Sequence, residues 1–373
     1  MAELNKLFES STINGMTVKN RFIRSATWEG MAEKNGICTS KLVEHMVTLA
    51  KGGVGLIITG HAYVRSDGQA SPRQLGVYKD ALISGLEKMT RAVHENGGMI
   101  VMQLAHAGLH AVSKLMDQPL LAPSVLEDTS GSSQKVMTAQ DIEEIVQSFA
   151  AAAVRAREAG FDGIQIHSAH GYLLSQFLSP VYNNRTDAYG GNIQNRARAL
   201  LEVYQAIRKS VGPDYPVMVK INVQDFVQNG LSLEDSIQVA GMLANLGIDA
   251  IELSGGLPTS GRLGPIRMRI KSEEKEAYFR DEAVTFKKTM HVPLILVGGI
   301  RSYHIAKGLI EDGVSDYISM CRSFIREPAL INRWQKGDHR KAACISDNQC
   351  FRPARDGHGI YCVTEKKRKQ RNL

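Results

Sequence analysis

Residues 216–223 read Pro216-Val217-Met218-Val219-Lys220-Ile221-Asn222-Val223. The run is short, rich in β-branched residues and apolar in nearly continuous order, as expected of a parallel strand with helices over its outer face. Seven comparable runs occur along the chain: Phe22 to Thr27, Val54 to Gly60, Met99 to Ala105, Gly163 to Ser168, Ala250 to Gly256, Pro293 to Ile300 and Tyr317 to Ser323. Amphipathic segments lie between them, such as Asp141 to Ala159 and Asn195 to Val211, and capping residues open several: Thr138 with Asp141, Ser232 with Asp235, and Ser302. Eight βα units in series predict an α/β fold of the closed (β/α)8 TIM-barrel type, because a doubly wound sheet usually stops at about five or six strands. No G-x-G-x-x-G turn follows any run, so a dinucleotide-binding Rossmann domain is not supported. Two long connections, Ala107 to Met137 and Gly256 to Lys271, follow strands and belong over the catalytic mouth.

The bulk properties agree with one barrel and a tail. The chain has 373 residues, 43% hydrophobic and 22% charged, the balance of a globular protein. We divide it into a barrel over residues 1–336 and a short C-terminal extension over 337–373. The formal charge of +7 suggests nucleic acid at first sight, but five of the positive charges (Lys366, Lys367, Arg368, Lys369 and Arg371) sit in the last eight residues, where the expectation is a solvated, disordered end. No nucleic-acid partner is expected. No apolar stretch is long enough for a membrane helix and the amino terminus lacks the marks of a signal peptide, so the expected location is cytoplasmic, without a membrane partner. Association into a homo-oligomer stays open.

On a barrel of this type the reacting groups stand at and just after the carboxyl ends of the strands. Read in order, those positions hold Thr27 and Trp28; Thr59, Gly60 and His61; Gln103 and His106; His167, His170 and Tyr172; Lys220 and Asn222; Ser254 to Gly256; Gly298 and Gly299; and Arg322. Gln103 and Lys220 interrupt apolar strands at inward positions, where an unpaired amide or ammonium would cost several kcal/mol. Each must therefore have a polar partner. An internal carboxylate could serve Lys220, and Glu252 is the obvious inward candidate; a flat heterocycle with carbonyl and ring-nitrogen edges would satisfy both side chains at once, and is the reading we favour. Loops seven and eight, with Gly298-Gly299 and Arg322, are where barrels commonly hold a phosphate, on glycine amides, a helix start and a guanidinium. In Gly163 to Ser168 alternation turns His167 inward, with His170 and Tyr172 just beyond. The two imidazoles suit a substrate oxygen, and the phenol suits an acid; nothing at a helpful spacing completes a metal set around them.

At this point the sequence resembles the old yellow enzyme family, the FMN-dependent NADH:flavin oxidoreductases, over essentially the whole barrel. The most specific stretch runs from Ile166-His167-Ser168-Ala169-His170-Gly171-Tyr172 through Ser179-Pro180, continuing with Asn184-Arg185-Thr186-Asp187, Tyr189-Gly190-Gly191 and Asn195-Arg196. Asn20-Arg21-Phe22, Gln103-Leu104-Ala105-His106-Ala107-Gly108 and Gly298-Gly299-Ile300 match in order. The resemblance implies bound FMN, with Gln103 on the pyrimidine edge, Lys220 near N1 and the C2 carbonyl, Arg322 and Gly299 on the phosphate, and Ser25, Ala26, Thr27, Gly60, Gly298 and Cys321 among its further contacts. It also implies that NADH or NADPH passes hydride to the flavin, which passes it to the β-carbon of an enone or enoate. In that scheme His167 and His170 bind the substrate carbonyl oxygen, where charge grows, and Tyr172 protonates the α-carbon.

The chain departs from the pattern in several places. Trp28 stands where relatives often carry Cys or Thr, Thr59-Gly60-His61 replaces an acidic-alanine pattern, and Cys321 replaces a glycine before Arg322. Larger relatives hold an iron-sulfur cluster in a four-cysteine run after the barrel. Cys344, Cys350 and Cys362 match three of those places while Asp347 takes the second, so a degenerate motif without a cluster is expected, with a single-ion site the lesser alternative. These relatives also add a dinucleotide-binding half beyond the point where this chain ends, so electrons are expected from a diffusing donor or a partner protein. Two rival functions remain: a flavin-dependent amine or N-methyl dehydrogenase, and a metal-dependent barrel hydrolase or lyase using His61, His106, His167 and His170. Arg262, Arg267 and Arg269 in the sixth loop hint at an anionic substrate, and equally fit a solvated loop.

Overall fold

The strand that carries Lys220 sits in a closed ring of eight parallel strands in a computed structural model that describes residues 5–112, 115, 118–126 and 133–371. A hairpin, β1 (Ser11–Ile13) and β2 (Met16–Val18), precedes β3 (Phe22–Arg24), β4 (Leu56–Ile58), the short β5 (Ala62–Tyr63) and β6 (Ile100–Ala105). A two-stranded ribbon of β7 (Leu120–Ala122) and β8 (Gln134–Val136) lies inside the third loop, part of which falls outside the described residues. Then come β9 (Gly163–Ser168), β10 (Val217–Asn222), β11 (Ala250–Ser254), β12 (Leu294–Leu296) and β13 (Tyr317–Met320). The ring runs β3-β4-β6-β9-β10-β11-β12-β13 and closes by pairing β13 with β3, while β5 continues along β6 where β4 leaves off.

Each expected strand is present, and most are shorter than the apolar run that announced them. β12, for instance, ends at Leu296, because Gly298 and Gly299 turn away with φ of 152° and 72°. The amphipathic segments form the outer helices, with α1 at Ala139–Glu158 and α2 at Ile193–Val211. Thr138 and Asp141 make a reciprocal capping box at the start of α1, an arrangement worth about 1 kcal/mol. Ser302 does not cap its helix, Tyr303–Glu311: its hydroxyl donates to Glu276 at 3.0 Å instead, because that fully buried carboxylate needs donors.

The amino-terminal hairpin closes the bottom of the barrel. Ile13, Met16 and Val18 pack against the lower ends of the strands, on Ile23, Leu56, Val101, Met218 and Ile295. That end is thereby sealed with apolar side chains, and the polar inward positions lie at the other end. The C-terminal extension folds over that open mouth. Phe351–Arg355 and Val363–Arg371 are helical, and Cys350, Ala354 and Ile360 pack on Trp28, Met31, Ile325 and Phe351. The Ile360 N–H donates to the Glu29 carbonyl, tying the extension to the loop after β3. The basic tail is not the disordered end expected: Glu365 pairs with Arg326 at 2.9 Å and with Arg368 one turn on, which anchors the first turn of a helix that buries none of its side chains. Among the described residues no helix is long and apolar enough to cross a membrane.

Candidate active site

Parallel pairing sets the polar floor of the site. Gln103 in β6 lies opposite Gln165 in β9, and Lys220 in β10 lies between His167 in β9 and Glu252 in β11. All five face the barrel interior, the Glu252 and Gln165 side chains without solvent contact. Gln103 donates through Nε2 to Gln165 Oε1 at 2.7 Å, and Gln165 donates to Glu252 Oε2 at 2.8 Å. Glu252 Oε1 accepts the hydroxyls of Ser25 and Ser319, each at 2.7 Å, and lies 3.1 Å from Lys220 Nζ, which also donates to Ser25 at 2.9 Å. Burial pushes the Glu252 carboxyl up, but the Lys220 charge and the donors from Ser25, Ser319 and Gln165 outweigh it and hold the carboxyl below its ordinary range.

The internal pair of Lys220 with Glu252 is therefore real, and the ligand is not needed to satisfy the ammonium. Gln103 and Lys220 still line a cavity of about 680 Å³, well inside the range of roughly 300–1,000 Å³ for small-molecule sites. Its lining brings together Ser25, Ala26, Thr27, Gln103, His167, His170, Tyr172, Lys220, Gly299, Cys321 and Arg322. Gly60 and Gly298 lie outside that lining. The Gly60 N–H donates to Glu29 at 2.9 Å, and a Cβ there would sit 2.3 Å from the same carboxylate. The Gly298 carbonyl accepts the Tyr278 N–H.

One end of the cavity is basic and glycine-walled. A Cβ on Gly299 would fall 2.9 Å from the Tyr278 ring, so the close approach requires glycine. Arg322 is held by the Arg267 carbonyl at 2.9 Å and Asn348 Oδ1 at 2.7 Å, both through Nη1. Arg267 lies among aromatic rings, its guanidinium 4.4 Å from the Tyr278 ring and 5.0 Å from the rings of Phe226 and Phe279. Arg269 gives its N–H to the Ser346 carbonyl, where loop six meets the extension.

The other wall carries the imidazoles and the phenol. His167 and His170 rings lie 5.3 Å apart and nearly perpendicular, and the Tyr172 ring is 4.7 Å from His167. His170 takes a left-handed backbone, φ 62°, with its N–H held by Asn222 Oδ1 and its Nε2 by Ser254 Oγ at 2.7 Å. A non-glycine residue in that conformation persists only where its surroundings insist on it. His167 Nδ1 is buried with no protein partner, as is Trp28 Nε1. Burial first, and then neighbouring His170, His61 and Lys220, hold His167 neutral by pushing its pKa well below the ordinary value; burial and Lys220 do the same to His170. Burial raises the Tyr172 hydroxyl, keeping it protonated.

Three features escaped the sequence. His61 hydrogen-bonds Tyr172, with Nε2 2.9 Å from the phenol oxygen. Gln165 links Gln103 to Glu252; its shared parity with His167 in β9 was the available signal. The extension contributes Cys344, Ser346, Asp347, Asn348, Gln349, Phe351 and Arg355 to the cavity lining, for which no local pattern in the sequence gave notice. His106, a candidate from its place in the sequence, instead pairs with Asp67 at 3.1 Å in the core. Among the described residues no group of three or more His, Cys, Asp or Glu side chains gathers as a metal-binding set. Cys362 accepts from Arg326 and from the Glu365 N–H, and Asp347 from Thr364 at 2.9 Å.

The closed barrel gathers a polar inward floor, a basic glycine-walled end and a histidine-tyrosine wall around one cavity, and residues 6–341 match the model of the NADH:flavin oxidoreductase / NADH oxidase family. The chain belongs to that family. It is 34% identical over 354 residues to the NADH oxidase of Thermoanaerobacter brockii, covering 93% of this chain and 54% of that protein. It is 34% identical over 325 residues to the NADPH dehydrogenase of Bacillus subtilis, covering 87% of this chain and 92% of that protein. Among solved structures, a complex of 2-naphthoyl-CoA reductase with 2-naphthoyl-CoA superposes with a TM-score of 0.88 at 26% identity, over 96% of this chain and 56% of that one. The chain thus spans about half the length of the longer relatives it matches, and nearly the whole of the shorter.

The residues present fit FMN. Gln103 gives one amide N–H to Gln165 and lines the cavity, leaving a carbonyl oxygen and a second N–H with which it could meet a ring edge. Lys220 uses two donors on Ser25 and Glu252 and keeps a third for a ring carbonyl. Arg322 and Gly299 supply charge and room at the end suited to a phosphate.

Proposed function

We propose that the chain is an FMN-dependent oxidoreductase that takes electrons from NADH or NADPH and reduces an alkene conjugated to a carbonyl group. Bound FMN supplies the hydride acceptor and donor at one ring nitrogen. Gln103, Lys220 and Arg322 bind it, with Ser25, Ala26, Thr27, Gly299 and Cys321 around it. The observation that carries the reading is the wall formed by His167, His170 and Tyr172 in the same cavity as Gln103 and Lys220. His167 and His170 stay neutral, so each can donate one N–H to a carbonyl oxygen on which negative charge develops. Ser254 fixes the ring of His170, so that its donor needs no reorganisation when the charge appears. Tyr172 holds its proton at the phenol oxygen until an enolate carbon takes it.

The test is anaerobic: the protein is saturated with FMN, reduced with one equivalent of NADH or NADPH, and mixed with 2-cyclohexen-1-one. Consumption of the pyridine nucleotide and formation of cyclohexanone in equal amounts supports the reading. A protein reduced by simple amines and not by either nucleotide would overturn it in favour of an amine dehydrogenase.

A further inference from the structure

The mechanism above leaves one member of the wall without a task. His61 follows β4 at Gly60 and lies between that strand and β5; its carbonyl accepts from Gln74 Nε2 at 3.0 Å, which fixes the loop. Its ring lies 5.3 Å from that of Tyr172 and 6.3 Å from that of His167, and it lines the same cavity. Nε2 is 2.9 Å from the Tyr172 oxygen, whereas Nδ1 is buried with no well-formed partner, its own backbone carbonyl interacting with the ring only weakly.

That asymmetry decides which nitrogen carries the proton. A neutral imidazole has one N–H and one lone pair. With the hydrogen on Nδ1, a buried donor would be left with only the residue's own carbonyl, which Gln74 already engages, and poorly satisfied buried N–H groups are rarer and more costly than an unpaired lone pair. With the hydrogen on Nε2, the donor meets the phenol oxygen. Burial keeps the ring neutral, its pKa pushed down to about 4.

We propose that His61 is a positioning residue for Tyr172, donating its Nε2–H to the phenol oxygen and so turning the phenol hydrogen into the cavity. The inference rests on Tyr172 being the proton donor of the proposed reaction. In the step itself the Tyr172 O–H bond breaks and a C–H bond forms at the α-carbon, using the electron pair of the enolate. The phenolate left behind is held by the same His61 donor, and it recovers a proton from water entering the open mouth. An imidazole in the other tautomer would face the phenolate with a lone pair and oppose the transfer.

Two measurements test this on the FMN-loaded protein. First, nitrogen-15 spectra of histidine-labelled protein should show His61 with a pyrrole-type Nε2 and a pyridine-type Nδ1; the reverse assignment overturns the proposal, whatever any variant does. Second, reoxidation of the reduced protein by 2-cyclohexen-1-one is followed in H2O and D2O for His61→Phe, His61→Gln, Tyr172→Phe and the His61→Phe, Tyr172→Phe double variant. His61→Phe should slow the reaction roughly tenfold or more and enlarge the solvent isotope effect, as loss of a donor to a developing charge requires. His61→Gln, whose amide N–H can replace the donor, should recover part of the rate, and His61→Phe should add nothing when Tyr172 is already Phe. A His61→Phe protein within twofold of the parent, beside a slow Tyr172→Phe, overturns the positioning role alone. A fast Tyr172→Phe removes the donor assignment and the inference with it.

Discussion

Replacing Glu252 with Gln removes one negative charge from a site without solvent contact and leaves nearly the same shape behind. In the parent the carboxylate answers four groups: Lys220 at 3.1 Å, the hydroxyls of Ser25 and Ser319, and the Gln165 amide. An amide can still accept from one or two of these but cannot neutralise Lys220, whose side chain is 4% exposed. Stranding one member of a buried ion pair costs about 3–5 kcal/mol. For 373 residues the unfolding entropy near the midpoint is about 0.8 kcal/mol/K, so Tm should fall by roughly 4–6 °C. Removing Lys220 as well, as Lys220→Met with Glu252→Gln, should return much of that loss, because no uncompensated charge is left. The assay is differential scanning calorimetry of the parent, both single variants and the double, each with and without saturating FMN, since a ligand of the folded state raises Tm by mass action. A Glu252→Gln Tm within 1 °C of the parent, or a double variant that loses at least the sum of the single losses, would refute the view that the Lys220–Glu252 pair balances the floor of the site.

Arg322→Ala should weaken FMN binding by roughly 10- to 100-fold, the worth of a charge-assisted contact, measured by quenching of flavin fluorescence on titration. Gly299→Ala places a methyl 2.9 Å from the Tyr278 ring at a backbone φ of 72°, and should lower both stability and FMN retention, with about 1–3 kcal/mol of strain read from the denaturation midpoint. His61 and His45 are held down to about 4 and about 3, and His167 and His170 well below 6.5, in each case chiefly by burial. The unfolded chain therefore binds protons below about pH 6.5 that the folded chain refuses, so stability falls as pH falls, by roughly 1.4 kcal/mol per unit for each histidine. Chemical denaturation between pH 7 and pH 5 should show that loss, and the His167→Asn, His170→Asn double variant should show a shallower slope.

Much of this architecture was legible in the chain because its causes are local. Eight apolar runs separated by amphipathic segments demand buried parallel strands, and the positions just past each run fall at one end of the barrel whatever the details. Gln103 and Lys220 could be singled out because a polar group inside an apolar strand needs a partner. Which partner could not be read so surely, since the Lys220–Glu252 pair depends on the register between β10 and β11, a property of two strands rather than of either. Gln165 lay within reach by alternation with His167. The bond between His61 and Tyr172 did not, because 111 residues separate them and only barrel closure brings them together. The extension was read as a tail with a spent cysteine motif, yet it forms part of the mouth: Cys350, Ala354 and Ile360 are apolar enough to dock on Trp28, a match visible only once both surfaces exist. Ser302 shows the opposite error, a residue of capping type drawn away by the buried Glu276 carboxylate.

The central claim is a flavin held by this floor and reduced by a pyridine nucleotide. The direct test is the visible absorption spectrum of the purified protein, or of the protein reconstituted with FMN, before and after anaerobic addition of NADH or NADPH. The account predicts a two-band flavin spectrum without a broad iron-sulfur shoulder, bleached by one equivalent of nucleotide. A protein that stays colourless after incubation with FMN, or a bound flavin that neither nucleotide bleaches, would contradict it.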